Sequence, residues 1–286
     1  MSSWVSLIVS SLTCFAAGII WGIKGIYPIH QLARLKARFA GRGPERTGLR
    51  HMVGDPSAPK HFDLRILAVG QSHAAAYGQD WVTAEGAYDL ALPDGAIVPL
   101  RDPIMNTPGK GGSVWTRLAR RIHEKERMVP LFCSVAVAGC TAEKFAPRGD
   151  LHRRLIFARK ALPEPPTHIL LWIGERDAEL GTSPESFHLA LCAIIETFRS
   201  FGWTAPIYVA RSTFRHGVVS DSLRAVQTGL VQHCDGVALG PDTDILGLAY
   251  RYDGIHFTSD GLSAAANLWY DHIFGTESNC PNHSYK

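Results

Sequence analysis

Three residue types that together can activate an alcohol stand at two places in the chain. Ser72 follows the apolar run ILAVG in "GQSHAAAYG", and Asp253 and His256 are three residues apart in "YDGIH". A serine hydroxyl is a weak nucleophile at neutral pH; it needs an imidazole to take its proton and a carboxylate to hold that imidazole in the right tautomer. Ser72, His256 and Asp253 supply these three types. A D-x-x-H spacing also arises by chance, so its meaning depends on where the elements place it.

From residue 62 onward, short apolar runs alternate with longer amphipathic ones, which predicts a parallel sheet covered by helices on both faces. The predicted strands cover residues 65–69, 131–137, 168–173, 206–211 and 236–239; the predicted helices cover 113–125, 150–161, 184–201, 221–233 and 259–274. Ligands of such sheets bind beyond the carboxyl ends of the strands, where loops from neighbouring strands converge. Ser72 is therefore predicted to share one rim with Gly139, Glu175, Asp177, Asp253 and His256.

Four sequence blocks at these strand ends resemble the SGNH hydrolases, in particular their carbohydrate-esterase and sialate O-acetylesterase-like branch. The blocks are "GQSHAAAYG", "VAGCTAEKFAPRG", "LLWIGERDAELGTSPESF" and "DGIHFTSDG", in the order typical of that branch and spread over residues 62–274. The resemblance implies a three-layer α/β/α, flavodoxin-like fold. It also implies attack on an ester carbonyl, commonly an O-acetyl group on a sugar, without a metal or organic cofactor.

The resemblance assigns roles residue by residue. Ser72 would be the nucleophile, His256 the general base and Asp253 its orienting partner, while the backbone N–H groups of Gly139 and Ser72 would stabilise the oxyanion. Gln71, Glu175 and Ser113 are candidate substrate-binding residues of the same rim. Glu175 and Asp177 are two apart and point in opposed directions, so hydrogen bonds that fix the loop are the favoured interpretation, and Ser113 is equally a candidate helix N-cap.

The chain departs from the branch at three positions. His73 stands where the branch has Asn, and it is predicted to face solvent or pack in the turn rather than act as a second base. Cys140 stands where a small Gly is usual. The third block should supply a side-chain amide to the oxyanion, but its position is Ile173 in one alignment and Arg176 in another; an isoleucine cannot donate, and a guanidinium donates with a different geometry.

Loss of one oxyanion donor costs roughly 2.7 to 4 kcal/mol in other enzymes. The sequence leaves open whether the oxyanion hole consists of two backbone donors, uses Arg176, or uses another group such as Ser113 or Thr141. Two nearby aspartates in "GPDTDIL", Asp242 and Asp244, are rivals to Asp253 as the partner of His256, although the D-x-x-H register favours Asp253. Arg211 and Arg251 flank the rim and are predicted to pair with aspartates or to bind an anionic sugar.

Composition excludes several other functions. The net charge of +3 comes without a basic face interleaved with aromatic residues, so nucleic acid is not an expected partner. The six cysteines show no C-x-x-C and no Cys/His spacing of a metal site, and Cys133 and Cys192 lie in apolar runs that predict small core residues. The Gly-rich residues 109–115 lack the order of a phosphate-binding loop.

The N-terminal region predicts a membrane anchor. Residues 4–23 contain no charge and are long enough to cross a hydrocarbon core of about 30 Å, and neither a cleaved signal nor lipidation at Cys14 fits as well. Basic residues follow the span, so the positive-inside rule favours a cytoplasmic domain. Residues 27–39 suit a helix lying on anionic headgroups or one that merely continues the anchor. The predicted organisation is an anchor (1–25), a basic juxtamembrane helix and linker (26–60), an SGNH hydrolase-like domain (61–274) and a tail (275–286).

Together these patterns predict a membrane-anchored, single-pass serine esterase that removes O-acyl, foremost O-acetyl, groups from a carbohydrate or small ester. Two alternatives remain open from the sequence. One is an O-acyltransferase that uses the same site, and the other is a catalytically impaired, SGNH-like glycan-binding domain.

Overall fold

The strands of the domain form one sheet in the order β3-β2-β4-β1-β5-β6-β7. The structure, a computed structural model, describes Leu49 and residues 52–275. All neighbouring strands are parallel except β2 and β3, which form an antiparallel hairpin at one edge. The strands are β1 (Leu64–Gly70), β2 (Thr83–Ala91), β3 (Ala96–Arg101), β4 (Pro130–Ala136), β5 (His168–Trp172), β6 (Ile207–Arg211) and β7 (Val237–Asp242).

The described residues form six α-helices, which cover both faces of the sheet. One hydrophobic cluster joins one face of the strands to α1 and α6, and a second cluster joins the other face to α2, α4 and α5. Successive residues of β1 alternate between the two clusters, as the pleat of a strand buried on both faces requires. The helices are α1 (Val114–Glu126), α2 (His152–Ala161), α3 (Glu175–Leu180), α4 (Pro184–Ser200), α5 (Asp221–His233) and α6 (Ser259–Phe274).

The prediction of an α/β domain with a central parallel sheet is confirmed, with two additions. All five predicted strands and all five predicted helices are present, but the short helix α3 begins at Glu175, inside the third sequence block. The β2–β3 hairpin is not among the predicted elements, because Gly86 and the two acidic residues of β2, Glu85 and Asp89, obscure its apolar alternation. The Asp94-Gly95 turn between its strands is the signal that was available.

The order of the inner strands places the end of β1 at a topological switch point of the sheet, where the connection from β1 leads to one side and the connection from β4 leads to the other. β1 pairs with β4 on one side and with β5 on the other, so the loops that leave these three strands diverge around a crevice. The loop after β1 begins with a single 3-10 turn, Ser72–Ala74. This crevice is where the candidate site lies.

The predicted membrane anchor and juxtamembrane helix, residues 4–23 and 27–39, lie outside the described residues. Of the helices that the structure describes, none has both the length and the apolar character needed to cross a membrane. Part of the predicted linker is described: the Asp55 N–H donates a hydrogen bond of 2.7 Å to the carbonyl of Ile97 in β3. The predicted tail lies outside the description from residue 276 onward.

Candidate active site

Ser72 begins the 3-10 turn that follows β1, and the neighbouring strand holds this turn in place. Gly70, the last residue of β1, passes so close to β5 that a Cβ atom there would lie 2.0 Å from the Trp172 carbonyl oxygen. The Gln71 N–H donates to the same oxygen at 3.2 Å. The chain therefore leaves the sheet directly beside β5, and the nucleophile candidate is fixed at the crevice.

His256 and Asp253 form a close pair in the loop before α6. Nδ1 of His256 lies 2.6 Å from Oδ2 of Asp253, while the other carboxylate oxygen accepts the N–H groups of Ile255 and His256 at 2.9 and 2.6 Å. Burial would raise the pKa of Asp253, but the hydrogen bonds from the His256 side chain and from the two amides outweigh it and hold the pKa below its usual value. A carboxylate can only accept, so Nδ1 carries the proton and Nε2 has a free lone pair.

Ser72 and His256 line one small pocket, together with Tyr77, Phe257 and Leu262 among others. The structure thus brings together the three residues predicted from the sequence. No hydrogen bond joins the Ser72 hydroxyl to His256 within residues 52–275, and such contacts often tighten only when substrate is bound.

Two tyrosines pack on the imidazole of His256. Tyr77 stacks on it with ring centroids 5.4 Å apart, and Tyr252 does so at 6.1 Å. The Tyr252 hydroxyl donates to the Tyr77 carbonyl at 3.0 Å, so the loop that carries His256 and the segment after Ser72 are connected beside the pocket. Neither tyrosine was predicted as part of the site.

His73 lines the same pocket but is buried, so the prediction that it faces solvent is wrong and the prediction that it packs in the turn is right. Its ring stacks on Trp172 at 5.4 Å and lies 4.6 Å from Phe257, centroid to centroid. Nε2 lies 3.1 Å from Nη1 of Arg251 and 3.3 Å from Oε1 of Glu175. Burial, and then the positive charge of Arg251, hold the pKa of His73 well below its ordinary value, so the ring is neutral and accepts from Arg251.

Arg251 connects this buried group to the loop that carries His256. Its guanidinium donates to the carbonyl oxygens of Leu246, Thr243 and Ile255. It also lies over the rings of Phe214 and Phe257, 4.4 Å from each centroid. The prediction that Arg251 pairs with an aspartate or binds an anion at the rim is wrong, because the side chain is buried and its donors are used internally.

Solved structures with the same fold were found, although no protein-family profile and no curated protein matches the chain. A protein from Arabidopsis thaliana has a TM-score of 0.57 and 17% identity, over 71% of this chain and 97% of that one. The psychrotrophic esterase EstA from Pseudoalteromonas sp. has a TM-score of 0.51 and 17% identity, over 76% and 100%. A Parabacteroides merdae protein described as a GDSL-like lipase has a TM-score of 0.52 and 15% identity, over 73% and 95%.

The chain has the fold of the SGNH hydrolases. This agrees with the resemblance carried by the four sequence blocks, and it places all four at the carboxyl ends of strands or in the loop before α6. At identities below a fifth, the likeness extends to the fold and not to the substrate of any neighbour.

Two backbone donors of the predicted SGNH oxyanion hole are available. Gly139 lies in the turn after β4 with φ +67, in open surroundings, and its N–H forms no hydrogen bond within the described part of the chain. This turn is joined to the end of β1, because the Val137 N–H donates to the Gly70 carbonyl at 3.0 Å and the Cys140 thiol lies 3.7 Å from the same oxygen. The N–H of Ser72 is likewise free of backbone partners among these residues.

Neither candidate for the third SGNH donor supplies one at the pocket. Ile173 is buried in the core beneath the sheet. The guanidinium of Arg176 is paired with Glu179, which also binds Arg215, and only the backbone N–H of Arg176 reaches towards the nucleophile turn, where it donates to Oε1 of Gln71 at 3.2 Å. Arg176 and Glu179 both lie on helix α3, and their side chains form an ion pair at its surface.

The three predicted substrate-binding residues have structural contacts instead. Gln71 is buried and accepts from Arg176, as described above. Ser113 is fully buried and caps α1, accepting from the Trp115 N–H at 3.1 Å. Glu175 is buried, accepts the hydroxyl of Ser212 and lies against His73; burial raises its pKa to about 8, with the Ser212 hydrogen bond opposing the shift.

The remaining acidic residues of the rim fix loops. Asp177 accepts the Ala142 N–H at 3.1 Å, as the loop-fixing interpretation predicts. Asp242 and Asp244 both bind Arg224, and Asp244 also accepts the amides of Thr213 and Phe214. Arg211 lies 3.9 Å from Asp242, which is the predicted kind of ion pair. Asp253 is thus the carboxylate beside His256, and no cluster of side chains between residues 52 and 275 could hold a metal ion.

Proposed function

We propose that this chain is a serine ester hydrolase that acts through an acyl intermediate on Ser72. The observation that carries the proposal is the 2.6 Å contact between His256 Nδ1 and Asp253 Oδ2, with Ser72 and His256 on one pocket. This contact fixes the proton of the imidazole on Nδ1 and leaves Nε2 as a base. One fold neighbour, the esterase EstA, has been solved in a form inhibited by monoethylphosphonate, which supports the same reaction class.

In the proposed reaction, Ser72 Oγ attacks the ester carbonyl carbon while His256 Nε2 takes the hydroxyl proton. The negative oxygen of the tetrahedral intermediate accepts hydrogen bonds from the N–H groups of Ser72 and Gly139. Collapse breaks the bond to the alcohol, which leaves with the proton from His256. Water then attacks the acyl-serine by the same route, with His256 again as base, and releases the acid and free Ser72.

The dimensions of the pocket favour a small acyl group, foremost acetyl. Its walls are formed by Tyr77, Gly78, Phe257 and Leu262. Gly78 is packed so tightly on Leu262 that a Cβ there would lie 2.5 Å from the leucine side chain, and the pocket encloses only about 160 Å³, which leaves little room for a long acyl chain. The sequence blocks shared with the carbohydrate-esterase branch support an acetylated sugar, or a small ester, as the substrate.

A second candidate function, a domain that binds acylated glycans without hydrolysing them, is favoured by one observation. Ile173 is buried and Arg176 is paired with Glu179, so the oxyanion hole is left with two backbone donors. The two candidate functions differ in the reactivity of Ser72: a hydrolase needs Ser72 activated as a nucleophile, whereas a binding domain does not.

The experiment that separates these candidates is covalent labelling of the purified chain with a fluorophosphonate probe, followed by mapping of the labelled peptide. We expect label on Ser72 and hydrolysis of p-nitrophenyl acetate, both abolished in Ser72→Ala. Ser263→Ala, a change at an exposed serine on α6, is the matched control and should leave both unchanged. Label elsewhere, or turnover that survives in Ser72→Ala, contradicts the proposal. Product analysis with acetylated sugars and sugar acceptors separates hydrolysis from acyl transfer to another alcohol.

We also propose that the domain is held at a membrane by residues 4–23, with the domain on the cytoplasmic side. The support is the uncharged length of this run and the basic residues that follow it. In sealed right-side-out vesicles, a cytoplasmic domain faces the lumen. We therefore expect added protease to leave it intact, and to digest it once the membrane is permeabilised. Digestion in intact vesicles would place the domain on the other side.

A further inference from the structure

Two cysteine thiols lie side by side at the surface between α4 and α5. Cys192 is in the middle of α4, Cys234 follows the last residue of α5, and their Sγ atoms are 3.9 Å apart. Both residues are half-buried, whereas Cys133 and Cys140 are enclosed in the core. The prediction that Cys192 is a core residue is therefore only partly right, because Cys192 packs against the hydrophobic cluster but is half-buried rather than enclosed in it.

We infer that Cys192 and Cys234 form a disulfide when the protein meets a low-molecular-weight disulfide such as oxidised glutathione. A disulfide bond is about 2.05 Å long, so the two sulfur atoms must approach each other by about 2 Å. At 3.9 Å the two sulfur atoms are already close to van der Waals contact, so the approach that bond formation requires is short. The inference does not depend on the proposed esterase activity, because neither cysteine touches the pocket of Ser72.

The exchange proceeds in two balanced steps. The thiolate of one cysteine attacks the small disulfide, forms a mixed disulfide and releases one small thiol. The thiolate of the second cysteine then attacks the protein-bound sulfur, closes the Cys192–Cys234 bond and releases the second small thiol. Two protein thiols are oxidised, one external disulfide is reduced, and the two protons end on the released thiols.

The ionisable groups around Cys192 and Cys234 determine the pH range in which the exchange is fast. Nε2 of His188, one turn before Cys192 on α4, lies 3.4 Å from its sulfur and can take the thiol proton, and the His233 ring lies 6.3 Å from the His188 ring. Burial, then Cys234, and less strongly Glu196, raise the pKa of Cys192 to about 11. Since exchange needs the thiolate, the reaction should accelerate as the pH rises above neutrality.

The bond would join two helices that support the loops of the rim. Gln227 of α5 donates to the Ile173 carbonyl at 2.9 Å and accepts the Ser212 N–H at 3.0 Å, so α5 lies directly beneath the third sequence block. Cross-linking α5 to α4 restricts the unfolded chain over a separation of 42 residues. We expect the melting temperature of the oxidised protein to rise by about 5 to 10 °C.

The test is oxidation of the purified full chain with glutathione disulfide at pH 8, followed by blocking of free thiols and tryptic digestion without reductant. Trypsin places the two cysteines on separate peptides, residues 177–199 and 225–251, so the cross-link appears as one species with their summed mass less two hydrogens. We expect this species in the wild-type chain, with a rise in melting temperature that dithiothreitol reverses.

Cys192→Ser and Cys234→Ser are the paired variants, and each should lack both the species and the temperature rise. Should Cys192→Ser fail to fold, Cys192→Ala serves in its place, and the mapping of the wild-type chain stands without either. The inference is overturned if both cysteines are still fully alkylated after oxidation, or if each carries only glutathione.

Discussion

Nη1 of Arg251 lies 3.1 Å from Nε2 of His73, and this hydrogen bond joins the turn that carries Ser72 to the loop that carries Asp253 and His256. The same guanidinium donates to the Ile255 carbonyl inside that loop. Burial lowers the pKa of Arg251 to about 10, with Glu175 opposing the shift, so the side chain remains cationic at neutral pH. We infer that Arg251 is a positioning residue, which holds the base opposite the nucleophile without touching substrate.

Arg251→Lys should lower kcat by roughly 10- to 100-fold, since a displacement of about 1 Å between reacting groups can cost that much. A lysine has one ammonium in place of the planar fork, so it cannot bond to His73 and to the loop carbonyls together. The measurement is kcat and KM for p-nitrophenyl acetate, with partial recovery expected when guanidinium is added to Arg251→Ala.

Arg211→Lys is the matched control, because Arg211 has one ion pair of 3.9 Å at the same rim. The activity of Arg211→Lys should stay within roughly threefold of the wild type, because a long ion pair between two half-buried side chains contributes little and neither residue lines the pocket. If Arg251→Lys and Arg211→Lys lowered kcat equally, Arg251 would not be a positioning residue.

Asp253→Asn should lower kcat by roughly 100- to 10,000-fold with little change in the fold. The amide keeps the shape of the carboxylate but can present an N–H to Nδ1, which stabilises the wrong imidazole tautomer. The measurement is the rate of p-nitrophenyl acetate hydrolysis, alongside fluorophosphonate labelling of Ser72. Asp260→Asn, a change at an exposed acid in the first turn of α6, should leave both unaltered; an Asp253→Asn enzyme as fast as the wild type would remove Asp253 from the mechanism.

Glu175→Gln should flatten the pH dependence of stability. Burial holds the pKa of Glu175 at about 8 rather than 4.5, so the folded protein keeps a proton that the unfolded chain releases. Stability from this group is fully present below pH 4.5 and is lost as the pH rises through 8. The wild type should therefore lose about 2 to 4 kcal/mol more than Glu175→Gln between pH 4.5 and 9.

Urea unfolding at several pH values measures this difference. Asp89, whose pKa is also raised by burial, to about 7, titrates in both proteins and cancels in the comparison. Parallel stability curves for the two proteins would mean that Glu175 is ionised in the folded state, paired with its buried neighbours.

Arg176→Ala should leave kcat within roughly threefold of the wild type, because the guanidinium is engaged with Glu179 and partly exposed. If Arg176 were an oxyanion donor, its removal would lower kcat by roughly 100- to 1000-fold. The same assay of p-nitrophenyl acetate decides the matter. A large loss would mean that Arg176 leaves Glu179 and enters the pocket when substrate binds.

The sequence predicted which residues come together better than it predicted their surroundings. Ser72, Asp253 and His256 meet at one pocket, as their positions at a strand end and before a helix predict; their catalytic roles stay a prediction. The rim predicted for Gly139, Glu175 and Asp177 exists, but the contacts of Glu175 could not be foreseen, because they depend on Ser212 and His73 from other parts of the chain. Arg251 shows the same limit, since hydropathy predicts an exposed or paired arginine and burial on two aromatic faces is a tertiary effect.

The β2–β3 hairpin marks the limit of pattern analysis for the fold. β2 pairs with β4 over only two residues in register, Tyr88 and Asp89, and its first half is largely exposed. β2 lies between β4 and the edge strand β3, and a partly exposed strand in this position needs no continuous apolar run, so the parallel pattern that identified the inner strands does not apply to it. Short local signals, such as Asp94-Gly95, are then the remaining guide.

The hydrogen bond between Arg251 and His73 joins residues 178 positions apart in the chain. A nascent polypeptide therefore has no complete active site until nearly the whole domain has left the ribosome, however early β1 and its serine turn are made. Under the proposed function, activity should therefore appear late in folding, and a fragment that ends before the Asp253 loop should be inactive, because it contains Ser72 but lacks Asp253 and His256.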